Sequence, residues 1–440
     1  MSIYRLTRLL LAYALLALVV CSSARAEKAT RHDARTDPLR GLRTLELMVL
    51  APYLEKGPVA LVEFADNSKN ELPAINLATY VNASSAKIVE LISDPRAYPE
   101  FMKTIDSVKL VSKHGATLVY DWSWKLSLFR LRGRNTMTLY TPPANRPNIG
   151  YRITIDSNAG DLGQGRVSMR IVPVAPNKSL LAISVRLDMR KANYVVREMA
   201  VASNSINRSA NILLSCSTLL SLQQEVERRA GHVPRPEKAP DLAKPDLVID
   251  KLLPLLGRGD LLLFDMHGAK LNQITVVGRI NIGKVTVKDV MMNVHAFGSA
   301  LVPGSYVKVV SYQDERADFD WGIDLPLVDV EGKMRIQQQG DIVAIDAISG
   351  ALSGGRWRFD TTQLAKNSSV VVGWTSFDMK NSTWLLEYLI SIDPNIGHGL
   401  TAAADIMVIR SLRTRAEKTA KRLSVKSIKT ATVSSKKKSN

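Results

Sequence analysis

The chain has 440 residues, a formal net charge of +18 and two cysteines, Cys21 and Cys216. Cys21 sits in a leader-like segment, so the mature chain keeps one cysteine; an intramolecular disulfide is excluded and stability must come from packed cores. The charge is unevenly placed: Arg5, Arg8 and Arg25 carry +3, residues 410–440 hold eleven Lys or Arg against Glu417 alone, and +5 remains for the rest.

Residues 1–26 read as a secretory signal. Arg5 and Arg8 precede an apolar run from Leu9 to Val20, and Ala24-Arg25-Ala26 supplies a small-x-small cleavage site. The run is shorter than the about 20 apolar residues that a membrane span needs. Cleavage after Ala26 predicts an exported, periplasmic protein. The alternative is a lipoprotein anchored through Cys21, against which stands the bulky Val20 before it.

Residues 27–37 are polar and expected to be disordered. Leu39 to Leu54 carries a helical apolar spacing that Pro52 interrupts near its end. Strands are predicted over Val59–Phe64 and Ala74–Val81, either side of a polar turn at Asn67–Asn70. Ser84 and Ser85 stand at N-cap positions ahead of Ile88, Leu91 and Ile92, and Asp94-Pro95 ends that helix and opens a short second one through Phe101.

Six alternating segments follow. In the clearest, Leu118, Tyr120, Trp122, Trp124, Leu126 and Leu128 share one face, while Val119, Asp121, Ser123, Lys125 and Ser127 share the other. The same parity holds in Leu131/Gly133/Asn135/Met137/Leu139, in Tyr151/Ile153/Ile155, in Val167/Met169/Ile171 and in Leu181/Ile183/Val185/Leu187. Period-two patterning with one apolar face predicts an antiparallel sheet covered on that face. Asn193–Arg229 is a helix long enough to lie across it. Pro234, Pro236, Pro240 and Pro245 then mark residues 230–246 as a stiff, exposed linker.

Beyond the linker the chain repeats itself. Pro52-x-Leu54-x-x-Gly57 returns as Pro254-x-Leu256-x-x-Gly259, an offset of 202. Tyr120-Asp121-Trp122 returns as Phe319-Asp320-Trp321 at an offset of 199. Asp156...Gly160-x-Leu162-x-x-Gly165-Arg166 and Leu187-Asp188-Met189 return at an offset of 190, as Asp346...Gly350-x-Leu352-x-x-Gly355-Arg356 and Phe377-Asp378-Met379. An offset that steps down only between blocks is what two copies with loop deletions produce. A repeat this long means two copies of one domain, since solenoid units run about 20–50 residues. The domains are predicted at 38–229 and 247–422, followed by a basic tail over 423–440 that is expected to be disordered. Each copy is predicted as α+β, a curved antiparallel sheet wrapped around a long C-terminal helix.

The segment Val81-Asn82-Ala83-Ser84-Ser85, the helical residues after it, and Asp94-Pro95-Arg96-Ala97-Tyr98-Pro99-Glu100-Phe101 closely resemble the opening of the START-like helix-grip (SRPBCC, Bet v 1-like) superfamily. The resemblance covers copy one from about residue 74 to 229. In copy two Asp94-Pro95 has become Asn293-Val294 and Tyr98 has become Phe297, so that copy inherits the assignment through the repeat.

The resemblance implies a hydrophobic ligand, of the lipid, sterol, quinone or fatty acid class, held between sheet and helix. In copy one the inward parity offers Tyr120, Trp122, Trp124, Met137, Tyr151 and Met169, and in copy two Phe319, Trp321, Met334 and Trp357. Such groups line apolar pockets, and they fill cores equally well. The last strand of copy two differs, with Gly373 and Thr375 inward and Val370, Val372 and Trp374 on the other face; it is expected to be buried on both sides by packing between the copies, and the copy-two cavity to be roomier there. Asp121 and Asp320 face outward, where pairing with an Arg on the next strand is expected rather than acid catalysis. The six histidines show no metal-ligand spacing, and no cofactor is implied. Cys216 lies within the long helix, as a small buried hydrophobe does.

Arg130, Arg132, Arg134, Arg152, Arg170 and Arg186 share the outward face of copy one, and the tail ends on Lys436, Lys437 and Lys438. Both suit an anionic membrane surface, and the arginine face equally suits a solvated face with scattered acidic partners; export sets nucleic acid aside. The functional expectation is periplasmic binding or transfer of a hydrophobic molecule, without catalysis. Two alternatives stand beside it: a cyclase/dehydratase-type enzyme, which requires ionisable groups pointing inward, and a cell-envelope interaction module without a ligand.

Overall fold

The alternating segments of both copies join one antiparallel sheet. The computed structural model describes residues 37–64, 74–126, 129–193, 197, 204–232, 242–296, 305–324, 329–377 and 384–437. The signal segment with Cys21, the prolines Pro234, Pro236 and Pro240, and Phe297, Asp378 and Lys438 lie outside the described residues.

Copy one opens with helices α1 (Pro38–Gly41) and α2 (Thr44–Leu54), then strands β1 (Val59–Glu63) and β2 (Ile75–Val81), and helices α3 (Ser85–Ser93) and α4 (Tyr98–Phe101). The six alternating segments are β3 (Ile105–His114), β4 (Thr117–Leu126), β5 (Phe129–Tyr140), β6 (Tyr151–Gly160), β7 (Gln164–Ala175) and β8 (Lys178–Asp188), and the described long helix is α5 (Asn204–Arg229). Copy two repeats this order. It has α6 (Ile249–Leu256), β9 (Gly259–His267), β10 (Lys270–Ile280) and α7 (Lys284–Met292). Then come β11 (Ser305–Gln313), β12 (Arg316–Asp324), β13 (Asp329–Gln339), β14 (Ile342–Gly350), β15 (Arg356–Ala365) and β16 (Ser368–Ser376), followed by α8 (Trp384–Ile392) and α9 (Pro394–Lys437).

Within each copy the first strand pairs with the second and the second with the last, so the eight strands of copy one run β1-β2-β8-β7-β6-β5-β4-β3. The two tandem helix-grip units read from the sequence are therefore present. What the sequence reading did not contain is their fusion into a 16-stranded sheet through β1 and β9, which pair antiparallel. The register is Val59 to Leu263, Ala60 to Leu262 and Leu61 to Leu261. Under the offset of 202, Val59 is the counterpart of Leu261 and Leu61 of Leu263. The junction is thus isologous, each copy presenting the same strand to the other around a pseudo-twofold axis at Ala60 and Leu262. The physical reason lies in the two strands themselves: Val59 to Val62 and Leu261 to Phe264 are continuous apolar runs, the mark of a strand buried on both faces and not at an edge.

Two cores result. On the concave face lie α5 and α9, which also pack against each other. Ile212, Cys216, Leu219, Leu222 and Val226 are buried in α5, and their counterparts at an offset of 190, Ala402, Ile406, Ile409, Leu412 and Ala416, are buried in α9. On the convex face, α2 and α6 lay Leu50, Leu54, Leu252, Leu255 and Leu256 over Leu61, Leu261, Val277, Val370, Val372 and Trp374. Trp374 is 3% exposed, so β16 is covered on both sides as expected, while the room expected beside Gly373 is taken by the Phe359 ring. Fully burying each of these aliphatic side chains is worth about 1.5–3 kcal/mol.

A buried ion cluster ties the copies together. Asp260 of β9, completely buried, accepts from Arg410 Nε at 2.7 Å and from Arg413, both on α9. Arg410 also donates to the carbonyl oxygens of Val62 and Glu63 on β1, and Arg415 to those of Val290 and Asn293. These three arginines, part of the basic count over 410–440, are spent inside the folded body, because the inward face of α9 supplies donors for buried carbonyls and for Asp260. The helix itself runs on to Lys437, into the segment expected to be disordered. No Gly or Pro follows Gly399, so nothing in the sequence stops it.

Candidate functional site

A cavity of about 160 Å³, partly open to solvent, lies between the sheet of copy one and α5. Strand β4 contributes Tyr120, Trp122 and Trp124, alternate residues that the pleat puts on one face. Opposite them on the sheet stand Asn135, Ile155, Ser157, Val167 and Met169, with Val185 and Leu187 from β8. Leu214, Thr218 and Leu222, spaced by four on α5, close the far side, and Tyr98 and Met102 stand at one end.

Local packing sets the aromatic positions. Trp122 faces Gly133 across the β4–β5 ladder, and a Cβ at Gly133 would collide with the indole, so the glycine is what lets the ring lie flat on the strand. Trp122 and Trp124 meet edge-on with centroids 5.9 Å apart, and Tyr98 meets Tyr120 edge-on at 6.5 Å. Tyr98 donates its hydroxyl to the Ile92 carbonyl at 2.6 Å. Asn135 Nδ2 donates to the Tyr120 hydroxyl at 3.1 Å. Burial pushes the Tyr98 phenol well above its ordinary value and the Tyr120 phenol up to about 12, against the opposing hydrogen bond from Asn135. Both stay neutral at any physiological pH. Trp122 Nε1 and Asn135 Oδ1 are buried with no hydrogen-bond partner among the described residues.

Four of the six copy-one residues named from the sequence, Tyr120, Trp122, Trp124 and Met169, line this cavity. Met137 is fully buried in the core, and Tyr151 packs against that core away from the cavity. Asn135, Ser157 and Thr218 were not singled out as site residues. Asn135 shares the inward parity of Met137, so a polar side chain on an apolar face was the available signal.

Copy two treats the same positions differently. Val167 and Leu187 correspond at an offset of 190 to Trp357 and Phe377, whose rings lie 5.1 Å apart and 32° from parallel. Tyr120 and Asn135 correspond at 199 to Phe319 and Met334, and Ser157 at 190 to Ala347. Phe319, Trp321 and Trp357 are buried, and Met334 packs against them in the core. The indole is kept: Trp321 pairs with Gly332 as Trp122 does with Gly133, and its Nε1 is likewise unpartnered. Val185 has become Thr375, which donates to Asp405 Oδ2 at 2.7 Å inside the core. Burial pushes the Asp405 carboxyl up to about 8, so it is largely protonated at neutral pH.

Outside the sheet, Asp121 takes Arg134 Nε at 2.6 Å, and Asp320 lies 3.9 Å from Lys333, so both repeated aspartates have cations on the neighbouring strand. The Asp121 carboxyl is held below its ordinary value by the hydrogen bond from Arg134. Arg130 pairs with Asp106 at 2.9 Å, Arg170 lies 3.6 Å from Asp37, and Arg152 stacks over Tyr140. Arg132 is exposed and Arg186 half-buried. Lys436 and Lys437 lie in the last turn of α9. Cys216 is fully buried, which raises its thiol pKa and leaves it unreactive. Among the described residues no three His, Cys, Asp or Glu side chains come together as metal ligands.

No family model matches the chain, and no curated protein sequence matches it. Solved structures similar to it include the di-domain ARO/CYC StfQ from the steffimycin biosynthetic pathway, 9% identical over 78% of this chain and 99% of that one, with a TM-score of 0.26. The STAR-related lipid transfer protein from Xanthomonas axonopodis is 10% identical over 38% of this chain and 98% of its own, at 0.30. Human STARD10 is 11% identical over 40% of this chain and 74% of its own, at 0.31. These scores lie below 0.5, so the helix-grip fold is read from the strand order and helix placement of this chain itself.

Proposed function

We propose that the protein binds a hydrophobic small molecule in copy one, and that copy two is the rigid partner that holds the shared sheet in place. The observation that supports this is the contrast at one pair of positions. Val167 and Leu187 leave space beside Trp122 in copy one, where copy two carries the stacked Trp357 and Phe377. Among the described residues of the cavity wall there is no Asp, Glu, Lys, Arg or His, and its two phenols, Tyr98 and Tyr120, are held neutral by burial. That favours binding over cyclisation or dehydration in this cavity.

The proposal includes export through residues 1–26 and approach to an anionic membrane by the basic end of α9. The arginine face contributes less than its six cations suggest, since Arg130, Arg134 and Arg170 already face carboxylates. Native mass spectrometry of the protein purified from its own host tests the binding, with organic extraction of the same sample. A bound apolar molecule is expected; protein that carries none, and takes none up when offered a panel of hydrophobic compounds, defeats the reading.

A further inference from the structure

Resting on that reading, we infer that the ligand presents to the copy-one cavity a small neutral ring carrying one hydroxyl, seated against the Tyr120–Asn135 pair. Size, charge and the polar inventory of the wall lead to this separately.

The cavity of about 160 Å³ is close to the 150 Å³ void that takes up benzene, and well below the about 300–1,000 Å³ of pockets for drug-sized molecules. One six-membered ring with a small substituent fills it. A sterol or a diacyl lipid does not fit.

Charge removes a further class. None of the lining side chains is ionised, and burial keeps both phenols neutral. A carboxylate entering this wall would lose its hydration and find no counter-charge, which costs several kcal/mol. The head of a fatty acid is therefore excluded at neutral pH.

The remaining polar capacity has a definite pattern. Asn135 spends Nδ2 on the Tyr120 oxygen, which leaves Asn135 Oδ1 without a donor. Tyr120 accepts that bond and gives its own proton to no acceptor among the described residues. The wall thus has an acceptor and a donor to spare on adjacent strands, and a single hydroxyl, which both donates and accepts, serves both. In copy two the same two positions are Phe319 and Met334, so the polar pair is particular to copy one.

Calorimetric titration of the purified protein at pH 7 with p-cresol, toluene and benzoate tests this. Expected is tightest binding of p-cresol, roughly tenfold weaker binding of toluene, and at least hundredfold weaker binding of benzoate. Toluene or benzoate binding as tightly as p-cresol overturns the inference while leaving the cavity as a hydrophobic site. Binding of none of the three overturns the cavity reading with it. Asn135→Met, which installs the copy-two residue, is expected to lower p-cresol affinity roughly tenfold and leave toluene unchanged. An Asn135→Met protein that unfolds normally and still prefers p-cresol refutes the role given to Asn135. Tyr120→Phe offers the same reading from the other member of the pair.

Discussion

Copy one and copy two share a strand order, a helix register and an indole lying over a glycine, yet they spend their inward faces differently. Copy one leaves a void and lines one side of it with Tyr120 and Asn135. Copy two puts Phe319 and Met334 there, and Trp357 against Phe377. The frame is common because sheet and helix must meet in the same way in both. The filling is free to vary, because a core accepts any set of side chains that conserves volume. Divergence at inward positions with the frame intact marks where binding has been separated from support.

The largest effect is expected at the feature both copies depend on. Asp260→Ala leaves Arg410 and Arg413 buried without their carboxylate, and should cost about 3–5 kcal/mol in chemical denaturation. A loss below about 1 kcal/mol would mean that the cluster does not hold the halves together. Next comes the filled copy itself. Trp357→Val gives copy two the residue copy one carries at Val167, and is expected to cost about 3 kcal/mol, because the opened space is not refilled. An unchanged melting temperature would show that copy two was not using Trp357 as a plug.

A third test concerns pH. Burial pushes the Asp405 carboxyl up to about 8 in the folded protein, from an ordinary value of 3.8. Between those values the folded state holds the extra proton, so the contribution of Asp405 is complete below about pH 4 and is lost as pH rises toward 8. The slope is at most about 1.4 kcal/mol per pH unit. Asp405→Asn keeps a partner for Thr375 and removes the titration, so its stability relative to the native protein should climb from pH 4 to pH 8 in paired thermal melts. A constant difference across that range would place an ionised carboxylate at Asp405.

Much of this architecture was legible. The parity of Leu118, Tyr120, Trp122 and Trp124 set the inward face of β4, and the 190-residue offset carried through to the buried positions of α5 and α9. Asp121 and Asp320 found cations on neighbouring strands, as outward acids beside long basic side chains tend to do. Parity could not separate lining from filling. Met137 and Met169 read alike, yet only Met169 borders the void, because the depth of a side chain depends on sheet curvature and on where α5 crosses. The single sheet was hidden for a related reason. Strand pairing between copies has no local signature beyond the unbroken apolar runs at Val59–Val62 and Leu261–Phe264. The charge count over 410–440 gave no sign that Arg410, Arg413 and Arg415 are spent inside the body, because it ignores which face of a helix a cation occupies.

The β1–β9 junction has the symmetry of a homodimer, but it is made within one polypeptide. In a dimer of identical subunits every substitution arrives in both seats at once, so a cavity opened for a guest weakens the subunit twice. Here Val167 and Trp357 occupy equivalent seats with opposite tasks. The partner is also always present, whatever the protein concentration, so the open half never has to survive alone. Covalent linkage thus does more than join the two copies: it allows one to give up packing that the other retains.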